Sequence, residues 1–308
     1  RGCTVREFIL AKATALLESK QFSVTNFVAG HSCFDLAATR GNLTLLIKAF
    51  DNVDSLREEH ALELKKMVSL FNAVVVVLGN KTKASDLRRG VIYERYSLPT
   101  LSIDSFKDLL NEKMPSIKSF KGKEIVALDA DKIRERRKEI GLTLGELASK
   151  VDTTIESVHR YEKGHATSLQ VAEKLEKALK TKLVEQIDLF KGVPIKIENV
   201  FDESIEDEAL GKVHDLGLKL ALFKHAPFRA SSPSSQGLVI SKGTSKQDVK
   251  RKAVELRKSS IAFGAHGMVI ANKTRLTSVE HVPIVDEDEL TTLSKFKDLM
   301  FLLKKRES

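Results

Sequence analysis

The 308-residue chain has no tryptophan, three tyrosines and 6% aromatic residues overall. That is too few to build the stacked aromatic platforms on which single-stranded nucleic acids are held. Its two cysteines, Cys3 and Cys33, cannot form a disulfide framework and lack the paired spacing of a zinc site. Cys33, followed by Phe34, reads as a buried thiol in a reducing cytoplasm. Long apolar runs are also missing. The longest, such as Ala73–Leu78, fall far short of the roughly 20 residues that span a bilayer, so no membrane partner is expected. The first residues mix Arg6 and Glu7 with further polar side chains and do not read as a signal peptide. The start at Arg1 rather than Met reads as a trimmed end.

What is present is a globular balance of 42% hydrophobic and 30% charged residues, enough for two or three domains. The formal net charge is +9, compatible with a polyanionic partner. Residues 1–128 hold 19 basic and 14 acidic side chains, residues 129–191 hold 13 and 12, and residues 192–308 hold 19 and 16. No stretch is a basic tail, so a nucleic-acid contact must come from a patterned, folded surface.

Periodicity divides the chain into an α/β block, an all-α block and a second α/β block. Residues 1–112 begin with an amphipathic helix from Val5 to about Lys20. Strand-like runs follow at Gln21–Ala29, Cys33–Arg40 and Leu43–Phe50, the last two joined by the turn pair Gly41-Asn42. A helix over Ser55–Phe71, the β-branched run Ala73–Leu78, a strand near Leu98–Ile103 and a helix at Ser105–Leu110 complete the block. Residues 113–128, with Pro115, Gly122 and several lysines, read as a linker. Residues 129–191 read as short helices without strands. Residues 192–308 return to mixed α/β, with Ser231–Gly237 read as a flexible loop.

The outer blocks echo each other. Leu64-Lys65-Lys66-Met67 and Asn72 to Val77 parallel Leu256-Arg257-Lys258-Ser259 and His266 to Ile270. Gly79 to Lys83 parallels Ala271 to Arg275, and Phe106-Lys107-Asp108-Leu109 parallels Phe296-Lys297-Asp298-Leu299. The last block is therefore read as a repeat of the first.

In the middle block Ile133, Arg136, Arg137 and Ile140 mark a first helix stopped by Gly141. Thr143 and Glu146 have capping-box spacing before a second helix with Leu147 and Ala148 facing inward. Asp152 stands where a left-handed residue is needed, and Thr153 or Thr154 caps a third helix, Ile155–Lys163. A fourth begins after Thr167-Ser168 and buries Val171, Leu175, Ala178 and Leu179. Two short helices joined by a tight turn give the helix-turn-helix geometry.

The string from Ile133 to Gly164, with Leu147-Ala148, Thr153-Thr154 and Arg160-Tyr161-Glu162-Lys163-Gly164, resembles the phage Cro/C1 repressor type of this motif. It departs from that type at Leu144, where a Gln often stands, and at Asp152, where Gly is usual. The resemblance implies that the third helix enters the major groove of double-stranded DNA. Arg160 would then bond guanine, Glu156 accept from a cytosine amino group and Ile155 touch a thymine methyl. Thr154, His159, Lys163 and His165 are placed for phosphates or caps, and Glu162 for pairing with a first-helix arginine such as Arg136.

The order of a helix with Glu18, a strand with Asp35 and a strand ending Leu46-Ile47-Lys48 resembles the restriction-endonuclease and Holliday-junction-resolvase fold. Working members hold a divalent metal through an Asp and a Glu, with a Lys two residues further on. Asp35 and Lys48 match, but the Glu position is Leu46, and the second block has Arg229 and Ser241 at the matching places. The site is read as degenerate, with no catalytic residue and no metal. Lys81, Lys83, Arg88 and Arg89, and Lys246, Lys250 and Arg257 with Arg251 and Lys258 nearby, are basic groupings that either touch phosphates or face solvent. His31-Ser32-Cys33 lacks a group to orient the imidazole, and the eight histidines show no metal spacing.

As a whole the chain resembles archaeal regulators that set a Cro/C1-type helix-turn-helix between restriction-endonuclease-like domains. That resemblance implies a cytoplasmic, non-enzymatic, sequence-specific regulator without cofactor, a homodimer on palindromic sites. The alternative is a structure-specific, metal-dependent DNA nuclease positioned by the helix-turn-helix.

Overall fold

The computed structural model describes residues 4–27, 32–120, 122–191, 199–202, 204–233 and 237–307. The first α/β block runs α1 (Val5–Ser19), β1 (Ser23–Asn26), β2 (Leu36–Arg40), β3 (Leu43–Asn52), α2 (Glu58–Phe71), β4 (Val74–Lys81), β5 (Val91–Arg95), β6 (Leu98–Ser102) and α3 (Ile103–Leu110). It leads into β7 (Ile117–Phe120) and β8 (Lys123–Val126), then α4 (Ala130–Glu139), α5 (Leu144–Lys150), α6 (Ile155–Tyr161), β9 (Thr167–Ser168) and α7 (Leu169–Leu179). The last block runs α8 (Glu208–Asp215), β10 (Ala221–Leu222), β11 (Ala230–Ser232), β12 (Leu238–Gly243), α9 (Lys246–Phe263), β13 (His266–Ala271), β14 (Ser278–Val279), β15 (Val282–Asp286), α10 (Glu287–Thr292) and α11 (Phe296–Glu307). The result is a multidomain α/β protein with a largely helical region in the middle.

Its residues cluster into two compact units. One comprises Arg1–Leu16, Phe50–Ser55 and Val77–Lys191; the other comprises Leu17–Ala49, Leu56–Val76 and Gly192–Ser308. In the first, β4 pairs in parallel with β6, and β6 pairs antiparallel with β5. The sheet continues through β7 and β8 to β9. Val74–Leu78 are all buried, as expected of a strand covered on both faces. Ser102 caps α3 by accepting the Ser105 N–H.

The stretch expected as a linker thus holds a hairpin. Ile117 pairs with Val126 across a turn where Gly122 takes φ +77°, a conformation that favours glycine. Ile125 and Val126 pair with Ser168 and Thr167, so the middle block also contains a short strand that its helical periodicity concealed. Lysines alternating with the apolar residues of 117–126 gave that segment the look of a solvated connector.

In the second unit β1, β2 and β3 form an antiparallel meander, with Arg40 opposite Leu43 and Gly41 at φ +57° in the turn. Strands β10 to β15 form a separate sheet in the order β10-β11-β12-β13-β15-β14. Its core packs Leu220, Ile240, Met268, Ile270 and Val285 against Leu210, Val213, Leu299 and Leu303 of the flanking helices. Ser231 and Ser232, expected in a loop, are buried in β11, where each pairs with a residue of β12; residues 234–236 lie outside the described residues.

The first α/β block runs α-β-β-β-α-β-β-β-α, and the last has the same order with one further helix, α11, at its end. The Phe27 N–H donates to Asp35 and the Asp35 N–H to Ile47, while the Phe223 N–H donates to Arg229 and the Arg229 N–H to Ile240. Asn72 and Gly264 end α2 and α9 in the same left-handed conformation. The preceding residues, Phe71 and Phe263, stack at 4.3 Å between ring centroids. Phe34 and Phe228 each meet Phe263 edge-on at about 6 Å.

Candidate nucleic-acid interface

The helical region is built from local signals that agree with one another. Asp129 caps α4 by accepting the Lys132 N–H. Thr143 and Glu146 form the expected capping box, and the Thr143 N–H and hydroxyl hold the Glu146 carboxyl below its usual range. Asp152 adopts φ +56° between α5 and α6, where a short polar side chain replaces the more usual glycine. Thr154, rather than Thr153, caps α6. Ser168 caps α7.

These helices enclose one core. Ile133, Leu147, Ala148, Val151, Val158, Ala172, Leu175, Leu179 and Leu183 are buried together with Val126 and Leu128. Leu144, at the departure from the Cro/C1 pattern, is half-buried and packs against this cluster. An ion pair lies beside it. Arg137 Nε and Nη2 donate to Glu162 Oε1 and Oε2 at 2.6 and 3.1 Å, and Arg137 Nη1 donates to the Leu142 carbonyl. The Glu162 hydrogen bond raises the Arg137 pKa. Glu162 therefore takes Arg137 as its partner instead of Arg136, which donates to the Leu179 carbonyl and to Glu139.

With Val158 buried and Tyr161 half-buried, the other side of α6 faces outward. Thr154, Ile155, Glu156, His159, Arg160 and Lys163 are all exposed, Ile155 by 56%. Glu156, His159, Arg160 and Lys163 have no side-chain partner among the described residues. Thr154 is committed to the cap and to the Ser157 hydroxyl at 3.0 Å. Residues 156, 159, 160 and 163 recur at helical spacing and form one unoccupied polar edge.

The basic groupings differ. Arg88 pairs with Glu124, Arg89 makes a two-pronged pair with Asp108, and Lys81 pairs with Asp51. Their charges are neutralised within the fold. On α9, Arg251 is held by Asp248 and Glu255, whereas Lys246, Lys250, Arg257 and Lys258 are exposed without an ion partner among the described residues.

At the nuclease-like position, Asp35 is 1% exposed and receives Lys48 Nζ at 3.0 Å and the Ala49 N–H at 2.8 Å. Lys48 also donates to the Ser32 carbonyl at 2.6 Å. Leu46, completely buried, offers no oxygen. One carboxylate already bonded to an ammonium and an amide does not fit a divalent cation that needs several oxygen ligands. At the corresponding positions of the last block, Arg229 is exposed and Ser241 buried. Cys33 is buried, which pushes its thiol pKa well up; His31 and Cys3 lie outside the described residues. Sequence reasoning missed Glu63, a buried carboxylate that accepts the Lys224 and His225 N–H groups, because its partners come from the far end of the chain.

No helix among the described residues is long and apolar enough to cross a membrane. The PD-(D/E)XK superfamily domain model matches residues 6–115, and a helix-turn-helix model matches residues 133–186. A protein of Archaeoglobus fulgidus named for HTH-type transcriptional regulation is 32% identical over 301 residues, covering 97% of both chains. A protein of the same designation from Thermococcus kodakarensis is 31% identical over 306 residues, covering 97% of this chain and 96% of its own. Another, from Methanocaldococcus jannaschii, is 28% identical over 308 residues and 96% of each chain. No solved structure matches significantly.

Proposed function

Because the chain belongs to the archaeal family of HTH-type transcriptional regulatory proteins, we propose that it reads specific double-stranded DNA sequences through α6. The observation that carries this reading is the exposed edge of Glu156, His159 and Arg160 on α6 with Lys163 just past its end, without side-chain partners among the described residues, on a helix whose other face is locked into the core. A single small helix spans few base pairs, so the protein acts as a cytoplasmic homodimer on palindromic half-sites. The folding regions we propose are a degenerate endonuclease-like domain over 1–112, a reader over 129–191 whose core is completed by the hairpin in the connecting stretch 113–128, and a repeat of the first domain over 192–308. In this reading Arg160 bonds guanine, Glu156 a cytosine amino group and Ile155 a thymine methyl, while Thr154, His159 and Lys163 meet the backbone.

The protein regulates without cutting, and the Asp35–Lys48 pair supports that view by committing the one remaining carboxylate. Gel-shift titrations on genomic fragments at several salt concentrations test the proposal. Binding should weaken steeply with salt. Arg160→Ala should lower affinity for the preferred site by about 1–3 kcal/mol and relax its selectivity. Equal binding of all sequences by both proteins would remove the base-reading assignment. Metal-dependent cleavage abolished by Asp35→Ala would replace the regulator with a nuclease.

A further inference from the structure

Eight histidines scattered along the sequence show no ligand spacing, yet the fold brings two of them together. His60 on α2 and His225, between β10 and β11, stand with ring centroids 4.4 Å apart. Glu59 lies beside them, with its Oε1 3.9 Å from His225 Nε2. One ligand atom from each of Glu59, His60 and His225 falls within 4.8 Å of the other two. We infer that these three side chains bind a first-row transition-metal dication of the Zn2+ class, independently of the DNA-reading proposal.

The donor set suits that chemistry. Two imidazoles and one carboxylate form a recognised three-ligand zinc set, with water completing the tetrahedron. Ligands at about 2.1 Å from a tetrahedral ion lie roughly 3.4 Å apart, so rotamer adjustments of about 1 Å close the present spacing. Both imidazoles are half-buried and Glu59 is exposed. His225 and Glu59 also border a cavity of about 490 Å3, which leaves room for the water ligand.

An outer-shell carboxylate is already in place. Glu63 Oε1 lies 3.3 Å from His225 Nδ1, and its two oxygens accept the His225 backbone N–H at 2.9 and 3.1 Å. A metal-bound histidine ordinarily donates its second ring N–H to such a carboxylate, which fixes the tautomer and turns the other nitrogen to the ion. Here that arrangement holds Nδ1 and leaves Nε2 on the side of Glu59. The Cys33 N–H donates to the His225 carbonyl at 2.5 Å, so the loop that delivers this imidazole is anchored at both carboxylate and backbone.

The repeat supplies an internal control. In the alignment of Leu64-Lys65-Lys66 with Leu256-Arg257-Lys258, Glu59 corresponds to Arg251, His60 to Lys252 and Glu63 to Glu255. The outer-shell position keeps its carboxylate, but both helix ligands have become cations. The donor set is therefore a feature of one copy and not a by-product of the shared fold.

The test is a Co2+ titration of the chelator-treated full-length protein, followed by visible absorption. We expect one equivalent to bind with d–d bands of a nitrogen- and oxygen-ligated ion, no thiolate charge-transfer band, and displacement by Zn2+. His60→Ala and His225→Ala should each weaken binding at least about 100-fold, and Glu59→Gln about 10- to 100-fold. Circular dichroism of each variant checks its fold, and the exposed Glu59→Gln decides if a histidine variant does not fold. Absence of stoichiometric binding by the wild type overturns the site. So does undiminished binding by the folded variants, which would place the ion elsewhere.

Discussion

The Arg137–Glu162 pair ties the end of α6 to α4, and its removal offers a quantitative test of how α6 is held. The side chains are 12% and 8% exposed, so solvent screens them little. With charge centres about 4 Å apart and an effective dielectric near 20, their attraction is about 4 kcal/mol before desolvation is subtracted. Desolvating both groups offsets much of that, which makes the pair a poor source of net stability. Removing one partner is different, because the other remains buried without its counter-charge. Glu162→Gln and Arg137→Met should each destabilise the region by about 2–4 kcal/mol, the former toward the lower end because Arg137 keeps its bond to the Leu142 carbonyl, the latter toward the upper end because that bond is lost as well. The double variant Arg137→Met with Glu162→Met should recover most of the loss.

A chain with two compact units need not unfold in one step, so a global melt is the wrong assay. Hydrogen exchange read peptide by peptide over α4 and α6 isolates the effect. The single variants should lose about 30- to 1,000-fold protection there, since about 1.4 kcal/mol corresponds to tenfold. If each single variant changed protection by less than about threefold, or if the double variant lost as much as both singles together, the pair would not be the clasp that we describe.

Two further outcomes follow from other residues. Burial pushes the Asp248 carboxyl up, but the Thr244 N–H, Arg251 and Lys252 outweigh it and hold the pKa at about 2. A depressed carboxylate stabilises the folded state above its unfolded pKa, so about 1–2 kcal/mol should vanish as pH falls from about 5 to 2. An Asp248→Asn variant should lack that slope in acid titrations monitored at the α9 amides; an unchanged slope would place the titration elsewhere. Cys33, buried and with its thiol pKa raised, should resist alkylation in the native protein at neutral pH. Peptide mapping after brief iodoacetamide treatment checks it, and rapid native labelling of Cys33 would contradict its burial.

Much of the helical region was legible because its signals are local. Thr143 with Glu146, Asp152 and Ser168 each act within a few residues, and the expected roles appear at those positions, although α6 ends at Tyr161 and not at Lys163. Similarly, Gly41 announced the β2–β3 turn, and the apolar run at Val74–Leu78 announced a buried strand. What escaped was long-range. Ile117–Val126 resembled a connector because half of its strand residues are lysine, serine or glutamate, and only pairing with β5 and β9 reveals the strands. Glu162 chose Arg137 over Arg136 by side-chain direction, which a one-residue difference in spacing reverses. Glu59, His60, Glu63 and His225 carry no mutual signal, since the contact depends on the register between helix α2 and a loop near the other end of the chain.

The hairpin changes what counts as the helix-turn-helix domain. Val126 and Leu128 are 1% and 3% exposed and belong to the same core as Leu147, Val158 and Leu175. The backbone around them is paired too: the Asp129 N–H donates to the Leu183 carbonyl and the Glu185 N–H to the Ala127 carbonyl. A fragment of residues 129–191 would forfeit both side chains, together about 3–6 kcal/mol of apolar burial. A core of that size supplies only about 3–5 kcal/mol in total. The fragment should therefore be largely unfolded, while residues 113–191 should give a cooperative melt and helical circular dichroism. Matching melts for the two fragments would show that β8 is dispensable. In that event α6 would be carried by the four-helix core alone, free to turn on its connector. If the longer piece alone folds, the orientation of α6 is set by the strand register of β7, β8 and β9.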